Sequence, residues 1–253
     1  MPPPSRDTTI SILVIGDEIL AGKKVETNAQ FLIREFRDLG ARLRSVVVIS
    51  DDPDEITHWV ALLKDRSDYL ITSGGVGPTH DDRTVPCIAA ALGRRLVRHP
   101  ELEQAIRRLY PGPITDEVLE MADLPEGTEF IHAPGLSVPC VRIENILIFP
   151  GEPEIFRKKF TAIKEMFRTT PYAVSGIRVA VDEGAIATLL KVTESRFPGV
   201  SIGSYPETDE SGSTVLITLE SKDPVKVRAA LACLREGLDT KWVVDFTEGS
   251  PPS

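Results

Sequence analysis

The feature that most constrains this chain is the alternation of short apolar runs with amphipathic helical stretches between Ile10 and Phe149. The runs predict buried strands because they are short and are followed by glycine, serine or proline. Apolar strands separated by helices favour a parallel sheet that is covered by helices on both faces. We therefore predict an α/β domain with a mostly parallel sheet over residues 8–170.

The predicted elements of this domain follow one another in a regular order. Thr27, with Gln30 three residues later, has the spacing of a capping box at a helix start. Asp52 before Pro53 is typical of an N-cap. Strands are predicted at Ile10–Ile15, Leu43–Ile49, Tyr69–Thr72 and Ile146–Phe149, a hairpin at Glu129–His132 and Val138–Ile143, and helices from near Thr27, Asp52, Thr84, Glu101, Asp116 and Pro153.

The order of elements changes after Thr169-Thr170-Pro171, which we interpret as a domain boundary. Residues 171–248 predict the order β-α-β-β-α-β, which is typical of a small ferredoxin-like or related α+β domain. The polar run Glu207–Ser213 is predicted to be a mobile hairpin loop between the two middle strands. Residues 1–7 and 249–253 are predicted to be flexible tails.

Charge and composition argue against several classes of function. With a net charge of −9, the chain lacks the basic character of a general nucleic-acid binder. No apolar stretch approaches the ~20 residues of a membrane span, and the N-terminus lacks the apolar core of a signal peptide. Cys87, Cys140 and Cys233 are far apart, which favours reduced thiols. We therefore expect a cytoplasmic protein with a small-molecule partner, and neither a nucleic-acid nor a membrane partner.

Four loops that carry glycine or carboxylate residues follow the predicted parallel strands. They are residues 16–22, 50–52, 73–82 and 150–153. Ligands of open parallel sheets bind outside the carboxyl ends of the strands, so we expect the four loops to converge at one edge. The third loop is the most specific, because its glycines allow close approach of a ligand and its successive N–H groups can bind an anion. The helix that begins near Thr84 adds its positive end.

The glycine loop ends in two carboxylates, Asp81 and Asp82, which would repel a bare phosphate. A divalent cation resolves this conflict, because Mg²⁺-type ions bind one or two carboxylates together with phosphate oxygens. Such an ion would polarise a phosphoryl group or activate a water molecule. The sequence therefore predicts a phosphate-bearing ligand and a divalent metal at this loop.

These residues also have purely structural explanations. A glycine-rich turn is commonly only a tight turn, and Asp81 and Asp82 could simply favour the start of the next helix. Asp52 could be only a helix cap, and Asp17 and Glu18 could be solvated in a turn. The convergence of four such loops on one sheet edge is what favours a binding site.

The loop sequences also resemble a known family. Gly16-Asp17-Glu18-Ile19-Leu20-Ala21-Gly22 with Thr27-Asn28, the loop from Gly74 to Asp82, and Pro150-Gly151-Glu152-Pro153 are similar to the molybdopterin-binding domain of the competence- and damage-inducible protein CinA. The similarity is closer to the N-terminal domain of eukaryotic-type FAD synthase, and there it extends to Val181-Asp182-Glu183 and Gly203-Ser204-Tyr205-Pro206. It covers roughly Thr8 to Val244. It implies the three-layer molybdopterin-binding fold followed by a small α+β domain.

The resemblance also implies roles for individual residues. In related molybdopterin enzymes, the aspartate that ends the glycine loop serves phosphate or metal chemistry, and it corresponds to Asp82 here. A second aspartate, just after the second strand, corresponds to Asp51. Glu152 stands where relatives usually have an apolar or small residue, so it either adds a carboxylate to the site or caps its helix. Relatives assemble as dimers or trimers, which implies a homo-oligomer.

The activities of the relatives set the leading hypothesis. CinA-like domains are associated with metal-dependent hydrolysis of ADP-ribose, and the matching FAD synthase domain with hydrolysis of FAD to FMN and AMP. No adenylyltransferase domain is evident, so FAD synthesis is not expected. The resemblance thus implies metal-dependent hydrolysis of a nucleotide pyrophosphate of the FAD or ADP-ribose class. The alternatives are a protein that binds or adenylylates a pterin phosphate, and a non-catalytic nucleotide-binding regulatory module.

Under the leading hypothesis each site residue has a role. Mg²⁺, Mn²⁺ or Co²⁺ is the expected cofactor, and no tightly bound organic cofactor is assigned. Asp82 and Asp81 are expected to hold the metal, and catalysis is assigned to Asp82, Asp81 and Asp51, with Asp51 as the general base. The residues expected to bind the substrate or its phosphates are Gly16, Asp17, Glu18, Gly74, Gly75, Gly77, Thr79, His80 and Gly151.

Overall fold

The computed structural model describes residues 7–209 and 212–250, and the chain separates into two units between Thr169 and Thr170. The strands of the first unit are β1 (Thr9–Ile15), β2 (Arg42–Ile49), β3 (Tyr69–Ser73), β4 (Leu96–Arg98), β5 (Asp123–Pro125), β6 (Glu129–Ile131), β7 (Cys140–Ile143) and β8 (Ile146–Phe149). Its helices are α1 (Asp17–Leu20), α2 (Asn28–Leu39), α3 (Pro53–Lys64), α4 (Thr84–Ala91), α5 (Pro100–Leu109), α6 (Asp116–Glu120) and α7 (Pro153–Ile163), and a 3-10 turn at Lys164–Phe167 follows α7.

A six-stranded sheet with the order β2-β1-β3-β8-β7-β6 forms the middle of the first unit. Strands β2, β1, β3 and β8 are parallel, whereas β7 and β6 add an antiparallel edge. The predicted mostly parallel sheet is therefore confirmed, and the predicted hairpin is its antiparallel part. Strands β4 and β5 form a separate antiparallel pair that the sequence analysis did not predict.

The sheet has a hydrophobic core on each face, which gives three layers. Alternate residues of β1 enter different cores: Leu13 packs with α3, α4, α5 and α6, whereas Ile12 packs with α2 and α7. The second core is rich in phenylalanine, and the rings of Phe36 and Phe160 meet edge to face at 5.3 Å between centroids. Because both faces of the central strands are covered, the buried residues of these strands are mainly apolar, with Ser11 and Thr72 as polar exceptions. The three-layer α/β fold is thus confirmed.

The starts of α2 and α3 are capped in different ways. Asp52 caps α3 as predicted, because its Oδ1 accepts hydrogen bonds from the N–H groups of Asp54 at 2.9 Å and Glu55 at 3.1 Å. The predicted Thr27 capping box of α2 is wrong, since the Thr27 side chain makes no capping bond. Instead Glu26 Oε1 accepts from the N–H groups of Asn28 at 2.7 Å and Ala29 at 2.8 Å. A carboxylate accepts more strongly than a hydroxyl, and Glu26 satisfies the first two N–H groups of α2 without the Thr27 side chain.

The second unit contains β9 (Ala173–Val179), α8 (Glu183–Arg196), β10 (Ser201–Asp209), β11 (Gly212–Ser221), α9 (Pro224–Gly237) and β12 (Val243–Ser250). Its four strands form an antiparallel sheet with the order β10-β11-β9-β12, so the predicted small α+β unit is confirmed. Ile177, Ile217 and Leu234 are fully buried in its core. Within the described ranges, no helix of either unit is long and apolar enough to cross a membrane.

Two predictions for this unit need correction. Most of the predicted loop Glu207–Ser213 belongs to the strands, because β10 continues to Asp209, β11 begins at Gly212, and Thr208 pairs with Ser213. Polar side chains do not prevent pairing, since the ladder is made by backbone groups. Residues 210 and 211 lie outside the described residues. Likewise, β12 extends to Ser250 and so includes the start of the predicted C-terminal tail, while residues 1–6 and 251–253 lie outside the description.

Candidate functional site

The four loops converge, as predicted, on a cavity of about 460 Å³ at the carboxyl ends of the parallel strands. All four loops contribute because β2, β1, β3 and β8 are neighbours that end at the same edge. The predicted site residues that line the cavity are Gly16, Glu18, Asp51, Gly74, Gly75, Gly77, Asp81, Asp82 and Gly151. We call this cavity the carboxylate cavity.

Three predicted site residues do not line the carboxylate cavity. Asp17 begins α1, and its backbone N–H donates to Asp51 Oδ2 at 2.8 Å. Thr79 stands beside Asp82 and donates to it. The His80 side chain is 93% exposed, with Nδ1 4.0 Å from the Asp81 carboxylate. Asp17 and Thr79 therefore contact the site through the two aspartates that they hold, and His80 faces solvent.

The glycine loop has a backbone conformation that side chains would not fit. Gly74 has φ +106°, and a Cβ built there would lie 2.1 Å from the carbonyl oxygen of Ile15. Gly75 has φ +64°, and its Cβ would lie 2.3 Å from Thr84 Oγ1. Thr84 fixes the loop to the start of α4: its hydroxyl donates to Gly74 O at 2.8 Å and its N–H to Gly75 O at 3.0 Å. Glycine is therefore required at both positions.

The loop offers backbone donors to a ligand. The N–H groups of Gly75 and Gly77 have no hydrogen-bond acceptor among the described residues. Both residues line the carboxylate cavity, and α4 begins shortly after them at Thr84. Unpaired N–H groups beside a helix start form the usual protein environment for an anion such as phosphate.

Asp82 lies directly against this loop. Its Oδ2 accepts from the Thr79 N–H at 2.9 Å and from the Thr79 hydroxyl at 2.5 Å. A Cβ on Gly77 would come within 2.6 Å of the same oxygen, so glycine makes room for the carboxylate. Because Thr79 holds one oxygen, the carboxylate has a fixed orientation, and Oδ1 remains to bind a cation or a water molecule.

Asp51 has a different environment. Partial burial is the main cause that raises the pKa of its carboxyl group, and the nearby charges of Asp17, Glu18 and Asp81 raise it further. The hydrogen bond from the Asp17 N–H opposes this shift. The negative charges around Asp51 mean that a cation in the cavity would be favoured.

The carboxylates of the cavity could hold a divalent cation together with oxygen atoms of a bound molecule. Carboxylates of Asp51, Asp81 and Asp82 line one cavity, and oxygen ligands of this kind suit Mg²⁺ and Mn²⁺. Within residues 7–209 and 212–250, no group of three or more histidine, cysteine, aspartate or glutamate side chains has the arrangement of a preformed metal site. A cation bound here would need further oxygen ligands from water or from a bound molecule.

Three further charged residues line the carboxylate cavity, and one of them is Glu26, the capping residue of α2. Glu152 makes no capping bond to α7, so of its two sequence interpretations the added carboxylate is the one that the structure favours. Lys24 brings a positive charge, and its Nζ lies 3.7 Å from Glu18 Oε1. The Lys24 side chain is 73% exposed, and such a long, solvated side chain can move to meet a phosphate. Sequence analysis did not single out Lys24, because a lone lysine in a loop carries no motif.

Asn28 is a site residue that sequence analysis missed. It lines the carboxylate cavity and is only 5% exposed. Its Nδ2 donates to Ser73 Oγ at 3.0 Å and to Gly151 O at 2.9 Å, while its buried Oδ1 has no partner among the described residues. The bond to a carbonyl oxygen fixes which amide atom is the nitrogen. A buried oxygen without a partner costs about 1–3 kcal/mol, so a donor group of a ligand would be stabilised there.

Comparisons with known proteins agree with this architecture. Residues 11–169 match the family described as "Probable molybdopterin binding domain", and residues 171–247 match the domain described as "FAD synthase, middle domain". A crystal structure described as the protein CinA with unknown function, from Thermoplasma acidophilum, has a TM-score of 0.58 and 30% identity, and it covers 64% of this chain and 98% of that one.

Two curated relatives cover different shares of the chain. "Probable FAD synthase" from Caenorhabditis briggsae is 30% identical over 92% of this chain and 50% of its own length. "CinA-like protein" from Anaeromyxobacter sp. (strain K) is 35% identical over 58% of this chain and 38% of its own length. The chain thus spans half or less of these two relatives. From its fold, its loops and the match over residues 11–169, the chain belongs to the family described as "Probable molybdopterin binding domain".

Proposed function

We propose that this protein hydrolyses the pyrophosphate bond of a nucleotide of the FAD or ADP-ribose class with the help of a divalent cation. One observation carries the proposal: the unpaired N–H groups of Gly75 and Gly77 line the same cavity as the carboxylates of Asp51, Asp81 and Asp82. Backbone donors alone would suit an anion, and carboxylates alone a cation. Their combination suits a phosphate that binds with a metal ion.

In this proposal the metal is Mg²⁺, Mn²⁺ or Co²⁺, held by Asp82 and Asp81. When bound, it would neutralise phosphate charge and lower the pKa of a bound water. Asp82 is oriented for this role by its two bonds from Thr79. The N–H groups of Gly75 and Gly77 would stabilise negative charge on the phosphate oxygens in the five-coordinate transition state at phosphorus.

Asp51 is the proposed general base. It lines the cavity, and the Asp17 N–H holds its Oδ2. Burial and neighbouring carboxylates raise the pKa of Asp51, which makes its carboxylate a better acceptor for the proton of the attacking water. Asp17, which the sequence placed among the substrate ligands, would then be a positioning residue that acts through its backbone.

The nucleotide class is supported by the relatives. The match of residues 171–247 to the FAD synthase middle domain and the relative named "Probable FAD synthase" favour a flavin nucleotide. The chain spans half of that relative, so its whole activity is not transferred here. The runner-up function is binding or adenylylation of a pterin phosphate, which the description of the family over residues 11–169 favours.

The experiment is an assay of AMP release. Purified protein is incubated with FAD, ADP-ribose or NAD, each with Mg²⁺, Mn²⁺ or Co²⁺ or with EDTA, and the products are separated by chromatography. We expect AMP from at least one substrate with a metal and none with EDTA. If a folded protein releases no AMP from any of them, the proposal fails. Binding of a pterin phosphate, with or without ATP and Mg²⁺, then becomes the test of the runner-up.

A further inference from the structure

A second cavity, of about 770 Å³, adjoins the carboxylate cavity, and we call it the apolar cavity. Gly75, Gly77 and Asp82 line both cavities, so the two spaces meet at the glycine loop. The walls of the apolar cavity include apolar side chains of α4, α5, β7 and β8, namely Val85, Leu102, Ile106, Val141 and Ile148. Neither the fold nor the proposed hydrolysis explains an open space of this size beside the glycine loop.

The rim of the apolar cavity exposes large apolar side chains. Leu96, Leu109 and Ile155 are 41%, 45% and 48% exposed, and all three line the cavity. Apolar groups gathered around a cavity in this way are typical of a surface that a ligand or a partner covers.

Charge decides which part of a ligand fits there. Glu117, Glu120 and Asp123 also line the apolar cavity, so a phosphate would be repelled from it. Lys159 is a half-buried donor in the lining of the cavity: its Nζ donates to the carbonyl oxygens of Val138 at 3.0 Å and Pro139 at 2.6 Å. An ammonium group has three N–H donors, so one remains for a carbonyl oxygen of a ligand. A neutral, flat ring with apolar and carbonyl-bearing edges suits the apolar walls and the Lys159 donor, and it carries no negative charge for the carboxylates to repel.

We propose that the apolar cavity binds the flat heteroaromatic ring of a dinucleotide substrate, whose pyrophosphate crosses the glycine loop into the carboxylate cavity. This inference rests on the proposed function, and it names the preferred substrate within that class. A flavin dinucleotide has such a ring. The adenine ring is common to FAD and ADP-ribose, so the two substrates differ at the other end, which in ADP-ribose is a sugar that would bury less apolar surface against Val85, Leu102 and Ile106 than a flavin ring.

The volume is consistent with this occupant. Cavities that hold small ligands are commonly about 300–1,000 Å³, and the apolar cavity lies within that range at about 770 Å³. The order of parts along the substrate also fits. Asp82 and the glycine loop stand where the two cavities meet, which is where the bond to be cleaved would lie.

The test uses riboflavin, which has the ring but no phosphate, and compares it with FAD and ADP-ribose. Dissociation constants are measured for the full chain by flavin fluorescence and calorimetry. Leu109→Asn in α5 and Ile155→Asn in α7 make the rim polar without adding charge, and both residues are exposed enough for the fold to persist. Ile33→Asn is the matched control, since Ile33 is 45% exposed and lines neither cavity.

We expect riboflavin to bind the wild-type protein, and each rim variant to weaken its binding by about tenfold. The ratio of FAD to ADP-ribose affinity should fall to a similar extent, whereas Ile33→Asn should change neither quantity. Riboflavin binding that responds to Leu109→Asn supports the inference even if no nucleotide is hydrolysed, in which case only the proposed function fails.

Two results would overturn the inference. If riboflavin does not bind, or binds equally well to both rim variants, the ring is not in the apolar cavity, and AMP release would still leave the proposed hydrolysis standing. If light scattering shows that the rim variants break an oligomer while flavin affinity is unchanged, the apolar cavity is a contact between subunits.

Discussion

At the scale of single residues, the two central aspartates differ in how their carboxylates are held. Asp82 receives two hydrogen bonds from Thr79, one of them from a side chain. Asp51 receives one from the Asp17 N–H and stands among other negative charges. This difference is the physical basis for proposing that Asp82 binds the metal and that Asp51 accepts the proton of the attacking water.

The charge of Asp51 should destabilise the fold in the absence of metal. Its folded pKa is raised above the ordinary value of 3.8, so the folded state holds this proton more tightly than the unfolded state. Stability is therefore lost as the pH rises from near 3.8 through the folded pKa, and the penalty is complete above it. We expect Asp51→Asn to raise the free energy of unfolding at pH 7 in EDTA by roughly 0.5 kcal/mol.

Chemical denaturation at several pH values measures this effect. The gain from Asp51→Asn should shrink as the pH falls through the folded pKa and below 3.8, since Asp51 is then protonated in both the folded and the unfolded state. Asparagine keeps an oxygen that can accept from the Asp17 N–H. A change in stability would therefore come from the lost negative charge and not from a lost hydrogen bond. A variant that is less stable than the wild type at pH 7 in EDTA would contradict this interpretation of the site's electrostatics.

Gly74 is the glycine whose replacement should cost most. In Gly74→Ala the new Cβ would lie 2.1 Å from Ile15 O, so the end of β1 must move. We expect a loss of about 3 kcal/mol or more of folding free energy. Gly22→Ala is the control, because Gly22 also has a positive φ, +68°, but open space at its Cβ, and it should cost about 1 kcal/mol. Equal losses in urea unfolding would show that the close approach to β1 is unimportant.

Single residues also show which features of the site cannot be inferred from the sequence. Gly74, Gly75 and Asp82 could be identified because their positions form a motif in one loop. Asn28 belongs to the Thr27-Asn28 pair that carries part of the family resemblance, but its role could not be inferred, since its partners Ser73 and Gly151 lie 45 and 123 residues away and only the fold brings them together. The same holds for the apolar cavity, whose walls come from elements spread over the unit.

At the scale of elements, helix capping gives a direct prediction. Asp52→Ala removes the acceptor for two N–H groups at the start of α3, and we expect a loss of about 1 kcal/mol. Thr27→Ala is the matched control at the start of α2, where the side chain makes no capping bond, and it should cost less than about 0.5 kcal/mol. Thermal unfolding compares the two, and a larger loss for Thr27→Ala would contradict the capping by Glu26.

Long elements were predictable from the sequence, whereas several of the shortest ones were missed. The apolar periodicity of β1, β2, α2 and α3 is repeated often enough to define each of them. Helix α1 has four residues and β4 and β5 have three each, which is too few for any periodicity to appear. The polar residues at the ends of β10 and β11 favour a loop in a sequence-based prediction, although strand pairing depends on the backbone.

At the scale of the whole molecule, each unit has a core of its own and one tryptophan. Trp59 packs against the core that contains Ile56 and Val60, and Trp242 against the core that contains Leu234. The chain has two tryptophans in all, so Trp59→Phe or Trp242→Phe leaves a reporter for one unit. The unfolding of the two units can therefore be followed separately.

We expect Leu234→Ala, at a position with 0% exposure, to cost the second unit about 2–5 kcal/mol. Its unfolding midpoint in urea, reported by Trp242, should fall, while the midpoint reported by Trp59 should stay the same. Ile56→Ala, also at 0% exposure, is the reciprocal variant and should lower the Trp59 midpoint. Equal shifts of both signals with either variant would mean that the chain unfolds as one cooperative body.

The central claim is that a divalent cation on Asp82 enables cleavage of a nucleotide pyrophosphate. The most direct measurement is the rate of AMP release from FAD as a function of free Mn²⁺, for the wild type, Asp82→Asn and the exposed control Asp65→Asn. Asparagine at position 82 can still accept both Thr79 bonds, so the loop should keep its shape. We expect a rate that is absent in EDTA, saturates with Mn²⁺, and falls about 100-fold or more in Asp82→Asn but not in Asp65→Asn. AMP release that persists in EDTA, or an equal rate in a folded Asp82→Asn, would contradict the claim.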